Sequence, residues 1–323
     1  MKKVKISTHV PVEGDGFTIG YDNSVMLIGS CFTERIGERL RSLRFDVDMN
    51  PFGILYNPLS MAETLSRCID DSPIDDTVLF NHEGLWHSWL HHGVFSNVDK
   101  DVCLQGCNNA LHSAHAFLQK CDTVILTFGS AWYYVLNDGV GKGMTVANCH
   151  KVPSACFDKC LASVDEVVGA WSPLVERLLS QGKRILFTVS PVRHEAYGAH
   201  GNQLGKAVLL LAIERLQQMM ADREVYYFPA YEIVMDELRD YRYYADDLLH
   251  PSAVAEEIVW QRFAQAYFHP STMKICEKVD QLNDMLAHRI MNPDSEAAKK
   301  FYSNRQALQD EIENLLKKVV VSQ

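Results

Sequence analysis

The sequence has 323 residues, of which 47% are hydrophobic and 22% are charged. This is the composition of an ordinary globular chain, and it excludes a disordered or fibrous protein. The 41 acidic residues outnumber the 31 Lys and Arg residues, so the formal net charge is −10. Because a chain of this charge repels phosphate backbones, we expect no nucleic-acid partner.

Membrane spans and disulfides are not expected either. No apolar run approaches the roughly 18 residues that a membrane span requires, and the N-terminus lacks the continuous apolar segment of a secretion signal. The nine cysteines are odd in number and lack the density of a disulfide scaffold. We therefore expect a soluble protein with reduced thiols, located in the cytoplasm.

Five short apolar runs predict buried strands. They are Val25 to Ile28, Phe45 to Val47, Thr123 to Phe128, Arg184 to Val189 and Glu224 to Phe228. Helical spacing of apolar residues predicts helices between them. The last of these helices, from Lys206 to Met220, is almost wholly apolar, so we expect it to be buried on most sides. Asn202 and Lys206 open this helix, where we expect them only to cap or solvate its end.

Strands that alternate with helices imply a parallel sheet covered on both faces, a three-layer α/β/α sandwich. The stretches from Ser72 to Lys100 and from Ala131 to Cys160 interrupt this pattern and suggest inserted hairpins. From Ser271 onward, two amphipathic helices predict a C-terminal helical hairpin. We therefore divide the chain into an α/β domain (residues 1–270) and a helical appendage (residues 271–323), which either packs on the core or forms a homodimer contact.

Ser30 and Cys31 follow the first predicted strand directly. In parallel sheets, ligands bind beyond the carboxyl ends of the strands. A nucleophile at such a strand-to-helix turn gains nearby backbone donors and the positive end of the helix dipole. Either side chain could act, and the structural alternative is an N-cap serine beside a buried cysteine.

The segment DLLHPS supplies a second candidate, the pair Asp247 and His250, after the fifth predicted strand. Two residues spaced by three can lie on one side of a turn. His250 can then act as a base toward a strand-end nucleophile, while Asp247 fixes its tautomer.

Two groups of residues are potential metal ligands. One is Cys149, His150, Cys156 and Cys160, and the other is His82, His87, His91 and His92. The first lacks the paired spacing of zinc knuckles, and alternation in the second predicts strands that form a hydrogen-bonded pocket wall. We expect no metal and no organic cofactor, with a zinc-dependent enzyme as the alternative.

Six motifs, in order between about residues 20 and 265, resemble those of the GSCFA domain family. They are Gly29-Ser30-Cys31-Phe32, Asn50-Pro51-Phe52-Gly53, Gly84-Leu85-Trp86-His87, Ala147-Asn148-Cys149-His150-Lys151, Ser190-Pro191-Val192-Arg193-His194 and Asp247 to Ser252. Thr33 stands where the family's name motif has Ala. That family is regarded as a distant relative of the SGNH/GDSL hydrolases. The resemblance implies the flavodoxin-like sheet of the SGNH fold and ester or acyl-transfer chemistry.

The same resemblance implies roles for individual residues. Alignment with the G-D-S-L motif places Cys31 at the nucleophile, which favours it slightly over Ser30. The resemblance makes Gly53 an oxyanion donor. The asparagine of the G-x-N-D motif is absent after Gly129, so Asn50, Ser130 or a residue of the insertions would have to replace it.

Other polar residues have weaker claims. Arg193 and His194 follow the fourth strand, where Arg193 suits a substrate carboxylate or phosphate, with a structural salt bridge as the alternative. The aromatic residues of the insertions predict either a carbohydrate-stacking wall or packing; they are Trp86, His87, Trp89 and Trp132.

The leading hypothesis is an ester hydrolase or acyltransferase that acts on a small-molecule or carbohydrate ester, such as an O-acetyl group of a sugar. The alternative is a non-catalytic module that binds a small molecule or glycan on the same scaffold. The absent G-x-N-D asparagine motivates that alternative.

Overall fold

The computed structural model describes residues 7–321 except 13, 15, 140 and 222. Its strands are β1 (Ser24–Gly29), β2 (Asp46–Met49), β3 (Leu79–His82), β4 (Leu85–Ser88), β5 (Thr123–Phe128), β6 (Trp132–Leu136), β7 (Thr145–Val146), β8 (Phe157–Leu161), β9 (Arg184–Val189) and β10 (Val225–Phe228). Its helices are α1 (Cys31–Ser42), α2 (Pro58–Asp70), α3 (Lys100–Lys120), α4 (Val164–Ser180), α5 (Gly198–Met219), α6 (Ala230–Glu232), α7 (Ala253–Tyr267), α8 (Pro270–Ala287) and α9 (Glu296–Val321).

The central sheet has five parallel strands in the order β10-β9-β5-β1-β2. Counted along the chain, this is the 2-1-3-4-5 order of flavodoxin-like doubly wound folds. Every residue of β5 is buried, as expected for a strand covered on both faces. The predicted strand pattern is confirmed, and for Thr123–Phe128 and Arg184–Val189 the predicted and observed bounds coincide.

Two apolar layers cover the sheet. On one face, α2 to α5 bury residues such as Leu65, Leu118, Trp171 and Leu216 against the strands. On the other face, α1, α7 and α8 contribute Leu40, Phe263 and Val279 to a second cluster. The three-layer α/β/α sandwich predicted from the alternation of elements is therefore confirmed.

The two insertions form small antiparallel sheets. β3 and β4 make a hairpin, and β6 lies between β7 and β8. β6 starts four residues after the end of β5, so the second insertion rises from the carboxyl end of the central sheet. That is the end at which parallel sheets bind their ligands.

The C-terminal helices α8 and α9 pack as a pair. α8 places Ile275, Val279 and Leu282 in the same apolar cluster as α1 and α7, and α9 adds Ile312. The boundary near residue 270 and the homodimer contact stay predictions. No described helix combines the length and apolar character needed to cross a bilayer.

Helix α5 differs from its prediction. It begins at Gly198, eight residues earlier than predicted, and Leu211 and Met219 are more than half exposed. The expectation of burial on most sides was wrong because only one face of the helix is covered by the sheet and by α4. That covered face includes Asn202 and Lys206.

Candidate active site

The turn from β1 into α1 is tightly built. The Gly29 N–H donates to Asn50 Oδ1 over 2.9 Å, and a Cβ on Gly29 would lie 2.3 Å from the carbonyl oxygen of Thr127. Only glycine fits that space. Ser30 is the N-cap of α1, but its hydroxyl makes no capping bond, is buried and has no hydrogen-bond partner within the described chain. Cys31, the first helical residue, is partly exposed.

Cys31 lines two neighbouring cavities of about 460 Å³ and about 640 Å³. His250 and Val192 also line both of them, whereas Ser30 lines neither. We call the smaller one the aromatic cavity, because Tyr56, Trp132, Tyr134, His194 and Tyr197 lie in its wall. The larger one is the acidic cavity, with Glu34, Asp247 and Glu256. Cys31 and His250 therefore lie where the aromatic cavity and the acidic cavity meet.

Asp247 and His250 form the predicted pair. His250 Nδ1 lies 2.6 Å from Asp247 Oδ2, and Asp247 Oδ1 accepts the backbone N–H groups of Leu249 at 2.9 Å and His250 at 3.0 Å. These backbone bonds, and then the bond to the ring, lower the pKa of Asp247 to about 2. The carboxylate fixes the ring through Nδ1 and leaves Nε2 as the nitrogen free to act.

The loop that carries His250 is tied to the sheet. The Arg193 N–H, just after β9, donates to the Leu249 carbonyl over 3.1 Å, and the Ala245 N–H donates to the His250 carbonyl over 2.8 Å. Leu248 takes a φ of +57°, a left-handed conformation that is rare for a branched residue. The backbone therefore holds the side chains of Asp247 and His250 on one side of a tight turn.

The thiol of Cys31 lies in a mixed electrostatic environment. Burial raises its pKa, and Glu34 adds to that effect. The Phe32 backbone N–H, which bonds to the sulfur, and the Lys206 ammonium act in the opposite direction. Because burial has the largest effect, the thiol needs a base to ionise at neutral pH, and His250 lies on the same cavity walls.

Lys206 lies next to the candidate site, at a position that the sequence analysis did not predict. It is 1% exposed, and its Nζ donates to the Gly129 carbonyl at 2.6 Å and the Ser190 carbonyl at 2.5 Å. Burial lowers its pKa to about 7. The expectation that it only caps or solvates a helix end was wrong. The signal was the spacing of Asn202, Lys206, Leu209 and Ile213, which places the lysine on an otherwise buried helix face.

The aromatic cavity is walled by stacked rings from two elements. Trp132 of β6 stacks on Tyr197 with ring centroids 5.0 Å apart, and its Nε1–H donates to the Gly201 carbonyl over 2.8 Å. Of the aromatic wall predicted from the insertions, Trp132 lies in this cavity. Trp89 instead stacks on Phe80 in a separate apolar cluster.

The residues predicted to hold an oxyanion are separated by the structure. The Gly53 N–H donates to the Asn50 carbonyl over 2.8 Å, and Gly53 packs against His92. Asn50 uses Oδ1 on Gly29, and its amide nitrogen is buried without a partner in the described chain. Neither residue lines the two cavities. Ser130 lines the aromatic cavity, and its Oγ accepts the Trp132 N–H over 3.1 Å.

Arg193 and His194 both line the aromatic cavity. The Arg193 guanidinium lies 4.9 Å from the centre of the Tyr244 ring, and the described residues place no carboxylate within ion-pair distance of it. The His194 N–H donates to Asn202 Oδ1 over 3.1 Å. Burial lowers the pKa of His194 to about 4, so its ring is neutral at neutral pH.

His87 lies in a different place. It lines a third cavity of about 330 Å³ with His82, His92 and His150, and its Nδ1 lies 2.6 Å from Ser96 Oγ. His150 Nε2 lies 2.9 Å from the Ser88 carbonyl. Over residues 7–321, apart from the four undescribed positions, no three His, Cys, Asp or Glu side chains are grouped to hold a metal ion.

Comparison with known proteins gives both structural matches and a family match. Solved structures similar to this chain include a carbohydrate esterase family 3 protein from Talaromyces cellulolyticus, at 12% identity and a TM-score of 0.35, covering 79% of this chain and 98% of that one. Another is a mutant of an acetyl esterase with acetate ion, at 13% identity and a TM-score of 0.35, covering 80% and 99%. No curated protein matches. The model of the GSCFA family matches residues 24–263, and the chain therefore belongs to the GSCFA family.

Proposed function

We propose that this chain is an ester hydrolase or acyltransferase of the SGNH type, with Cys31 as nucleophile, His250 as general base and acid, and Asp247 as the residue that positions His250. One observation carries the proposal. The side chains of Cys31 and His250 line the same two cavities, while Nδ1 of His250 is bound to a carboxylate. In acyl-transfer triads a base lies beside the nucleophile, and an acidic group orients that base.

Cys31 is preferred to Ser30 on access. The Ser30 hydroxyl is buried, and its residue lines neither cavity, whereas the Cys31 residue is partly exposed and lines both. An acyl carbon in either cavity can reach the sulfur without movement of the backbone. Ser30 instead packs beneath the turn, where its Cβ lies against Gly129.

The proposed reaction has two halves. In the first, the Cys31 thiol gives its proton to Nε2 of His250, and the sulfur attacks the acyl carbon of an ester. The alcohol then leaves with the proton from His250, and a thioester remains on Cys31. In the second half, water or a sugar hydroxyl gives its proton to His250 and attacks the thioester carbon. The C–S bond breaks, the carboxylic acid or the new ester leaves, and His250 returns the proton to the sulfur, which restores the thiol.

The oxyanion that forms in each half needs donors. The N–H groups of Gly53, Gly129 and Ser130 already bond to backbone carbonyls. We assign the role to the first turn of α1, where the N–H groups of Cys31 and Phe32 have no carbonyl partner within the helix and where the Phe32 N–H bonds to the sulfur beside which the oxyanion would form. The Ser130 hydroxyl, which retains a proton to donate, is the proposed side-chain donor in place of the absent asparagine.

The proposed substrate is a small-molecule or carbohydrate ester. The aromatic lining of the aromatic cavity suits a sugar ring, and a volume of about 460 Å³ lies in the range of small-ligand pockets. Arg193, without an acidic partner in the described chain, suits a carboxylate or phosphate on the substrate or on an acyl carrier. All nine cysteines are free, which supports a reducing compartment such as the cytoplasm.

A non-catalytic binding module is the second candidate. Its supporting observation is the engagement of the Gly53, Gly129 and Ser130 amides in the turn structure, together with the lack of an asparagine after Gly129. Such a module would use the aromatic cavity to hold a glycan and would form no covalent bond at Cys31.

Peptide-mapped mass spectrometry separates the two candidates. The protein is exposed briefly to p-nitrophenyl acetate and, separately, to acetyl-CoA, as wild type and as Cys31→Ala, Ser30→Ala and His250→Ala. We expect an acetyl group on Cys31 that is absent in Cys31→Ala and that forms at least about 100-fold more slowly in His250→Ala.

The control is Cys149→Ala, because Cys149 lines the same cavity while burial raises its pKa to about 11. This variant should acylate like wild type. An adduct on Ser30 would refute Cys31 as nucleophile. The absence of an adduct, or an adduct that forms as fast in His250→Ala as in wild type, would favour the binding module.

A further inference from the structure

A buried lysine lies under the carboxyl ends of two adjacent strands. Lys206 Nζ bonds to the carbonyl of Gly129, the first residue after β5, and to that of Ser190, the first residue after β9. A Cβ on Gly129 would lie 3.3 Å from the Ser30 Cβ. The ammonium is therefore anchored to the backbone that packs directly against the turn of Ser30 and Cys31.

This ammonium has no carboxylate counter-charge in the described chain. Its contacts are the two carbonyls and the ring of Tyr231, whose centre lies 5.7 Å from Nζ. Burying a cation without an opposite charge is costly, so such a group is retained where it offsets negative charge nearby. Cys31 is the titratable group whose ionised form favours the charged form of Lys206.

We propose that Lys206 is a positioning residue for Cys31: its ammonium stabilises negative charge on the sulfur while it holds the two strand-end carbonyls in place. The thiol proton goes to His250, and Lys206 acts in its ammonium form, which it holds below its pKa of about 7. The contribution of Lys206 to catalysis rests on the proposed function. Its effect on the ionisation of the Cys31 thiol can be measured without any ester.

The other charged and titratable groups near the pair come from several elements. Glu34, on the same helix as Cys31, opposes the thiolate. The phenol of Tyr56 interacts electrostatically with Cys31, and His194 interacts with Lys206 and His250. The positive charge of Lys206 therefore favours the thiolate, and a protonated His250 would favour it as well.

The chain offers a matched control at the other end of the same strands. Lys183 is also buried, and its Nζ donates to the carbonyls of Gln119 at 3.0 Å and Cys121 at 2.7 Å. Lys183→Met removes the same kind of contact as Lys206→Met, but before β5 and β9 rather than after them. A purely structural role of Lys206 would change the reactivity of Cys31 by a similar factor at every pH, whereas an electrostatic role changes it only where Lys206 carries its charge.

The experiment is carboxamidomethylation of Cys31 by iodoacetamide between pH 6 and pH 10, quantified by peptide mapping in wild type, Lys206→Met and Lys183→Met. We expect Lys206→Met to react more slowly than wild type below pH 7, where wild-type Lys206 is mostly an ammonium that favours the thiolate, and the two profiles to converge above pH 8. If loss of the ammonium raises the pKa of Cys31 by about one, the rate at pH 6.5 falls about tenfold. Lys183→Met should follow wild type. A folded Lys206→Met with the wild-type profile, or an equal change in both variants, would overturn the proposal.

A second measurement leaves the lysine intact, in case Lys206→Met does not fold. Coupling between two sites is reciprocal, so the Lys206 ammonium should titrate at higher pH in wild type than in Cys31→Ala, as read by NMR of ¹³Cε-labelled lysine. Identical titration curves would contradict the proposal. A Lys206-dependent thiol in a protein that forms no acyl adduct would refute the proposed function but keep this inference.

Discussion

At each end of the β5–β9 strand pair, a buried lysine donates hydrogen bonds to two backbone carbonyls, but the two lysines have different surroundings. At the amino end, Lys183 donates to the carbonyls of Gln119 and Cys121; at the carboxyl end, Lys206 donates to those of Gly129 and Ser190. Both lysines are buried. In both places an ammonium satisfies backbone carbonyls at the ends of helices or strands, which is a structural role.

The difference lies in what surrounds each lysine. Beside Lys183, the Cys121 thiol is buried and donates to the Leu118 carbonyl. Beside Lys206, Cys31 opens onto two cavities and His250 shares both. A buried cation beside a cysteine is therefore not sufficient for a reactive site. The cysteine must also be accessible from a cavity and have a base nearby, and both conditions occur at the carboxyl end, where parallel sheets bind ligands.

The largest expected effect on stability comes from the glycines at the two ends. In Gly29→Ala the new Cβ would lie 2.3 Å from the Thr127 carbonyl oxygen of the neighbouring strand, so β1 and β5 must move apart. We expect a loss of about 3 kcal/mol in the free energy of unfolding. In Gly182→Ala, just before Lys183, nothing lies within 4 Å, and only the left-handed φ of +75° opposes the change, at about 1 kcal/mol. Urea denaturation of both variants measures the difference; equal losses would contradict the tight build of the carboxyl-end turn.

The next effect concerns two aspartates. Asp247→Asn removes the charge that orients His250, and we expect kcat to fall about 100-fold or more with little change in stability. Because the pKa of Asp247 is about 2, wild-type activity should not depend on this group above pH 4.

The matched control is Asp122→Asn, since Asp122 Oδ2 accepts only the Ser24 backbone N–H at the amino end. Esterase rates of the two variants between pH 5 and pH 9 sharpen the comparison. A similar loss of rate in both would mean that Asp247 acts by supporting the fold.

The smallest effect is a dependence of stability on pH. The pKa of Lys206 is lowered to about 7 in the folded state, so above that pH the unfolded chain binds more protons at this group. The free energy of unfolding then rises with pH, and below pH 7 the contribution is flat. Between pH 6.5 and pH 8 we expect wild type to gain about 1 kcal/mol relative to Lys206→Met. Thermal or urea unfolding between pH 6.5 and pH 8 measures how the free energy of unfolding changes with pH. Lys183→Met should show the same pH dependence as wild type.

Much of the fold was predictable because its signals are local. Apolar runs such as Thr123–Phe128 end at glycine or serine, and their alternation with helical periodicity fixes a parallel sheet. The start of α5 was not predictable in the same way. Gly201 and Gly205 disfavour a helix by propensity, but they are tolerated there because Trp132 packs closely; a Cβ on Gly205 would lie 3.1 Å from its ring.

The same distinction between local and long-range signals applies to the candidate site. Asp247 and His250 were found from sequence because their pairing is local, three residues apart in one turn. The roles of Ser30 and Cys31 could not be separated, since access depends on the packing of Gly129 against the turn. Lys206 was missed because its partners, Gly129 and Ser190, are distant in sequence and meet only when β5 and β9 pair.

The most direct test of the central claim uses the wild-type chain alone. Cys31 is carboxamidomethylated in steps, and the labelled fraction and the remaining turnover of p-nitrophenyl acetate are measured on the same samples. If Cys31 is the nucleophile, turnover falls in proportion to the labelled fraction and vanishes when Cys31 is fully modified. Full turnover by protein whose Cys31 is completely blocked would exclude Cys31 as the nucleophile.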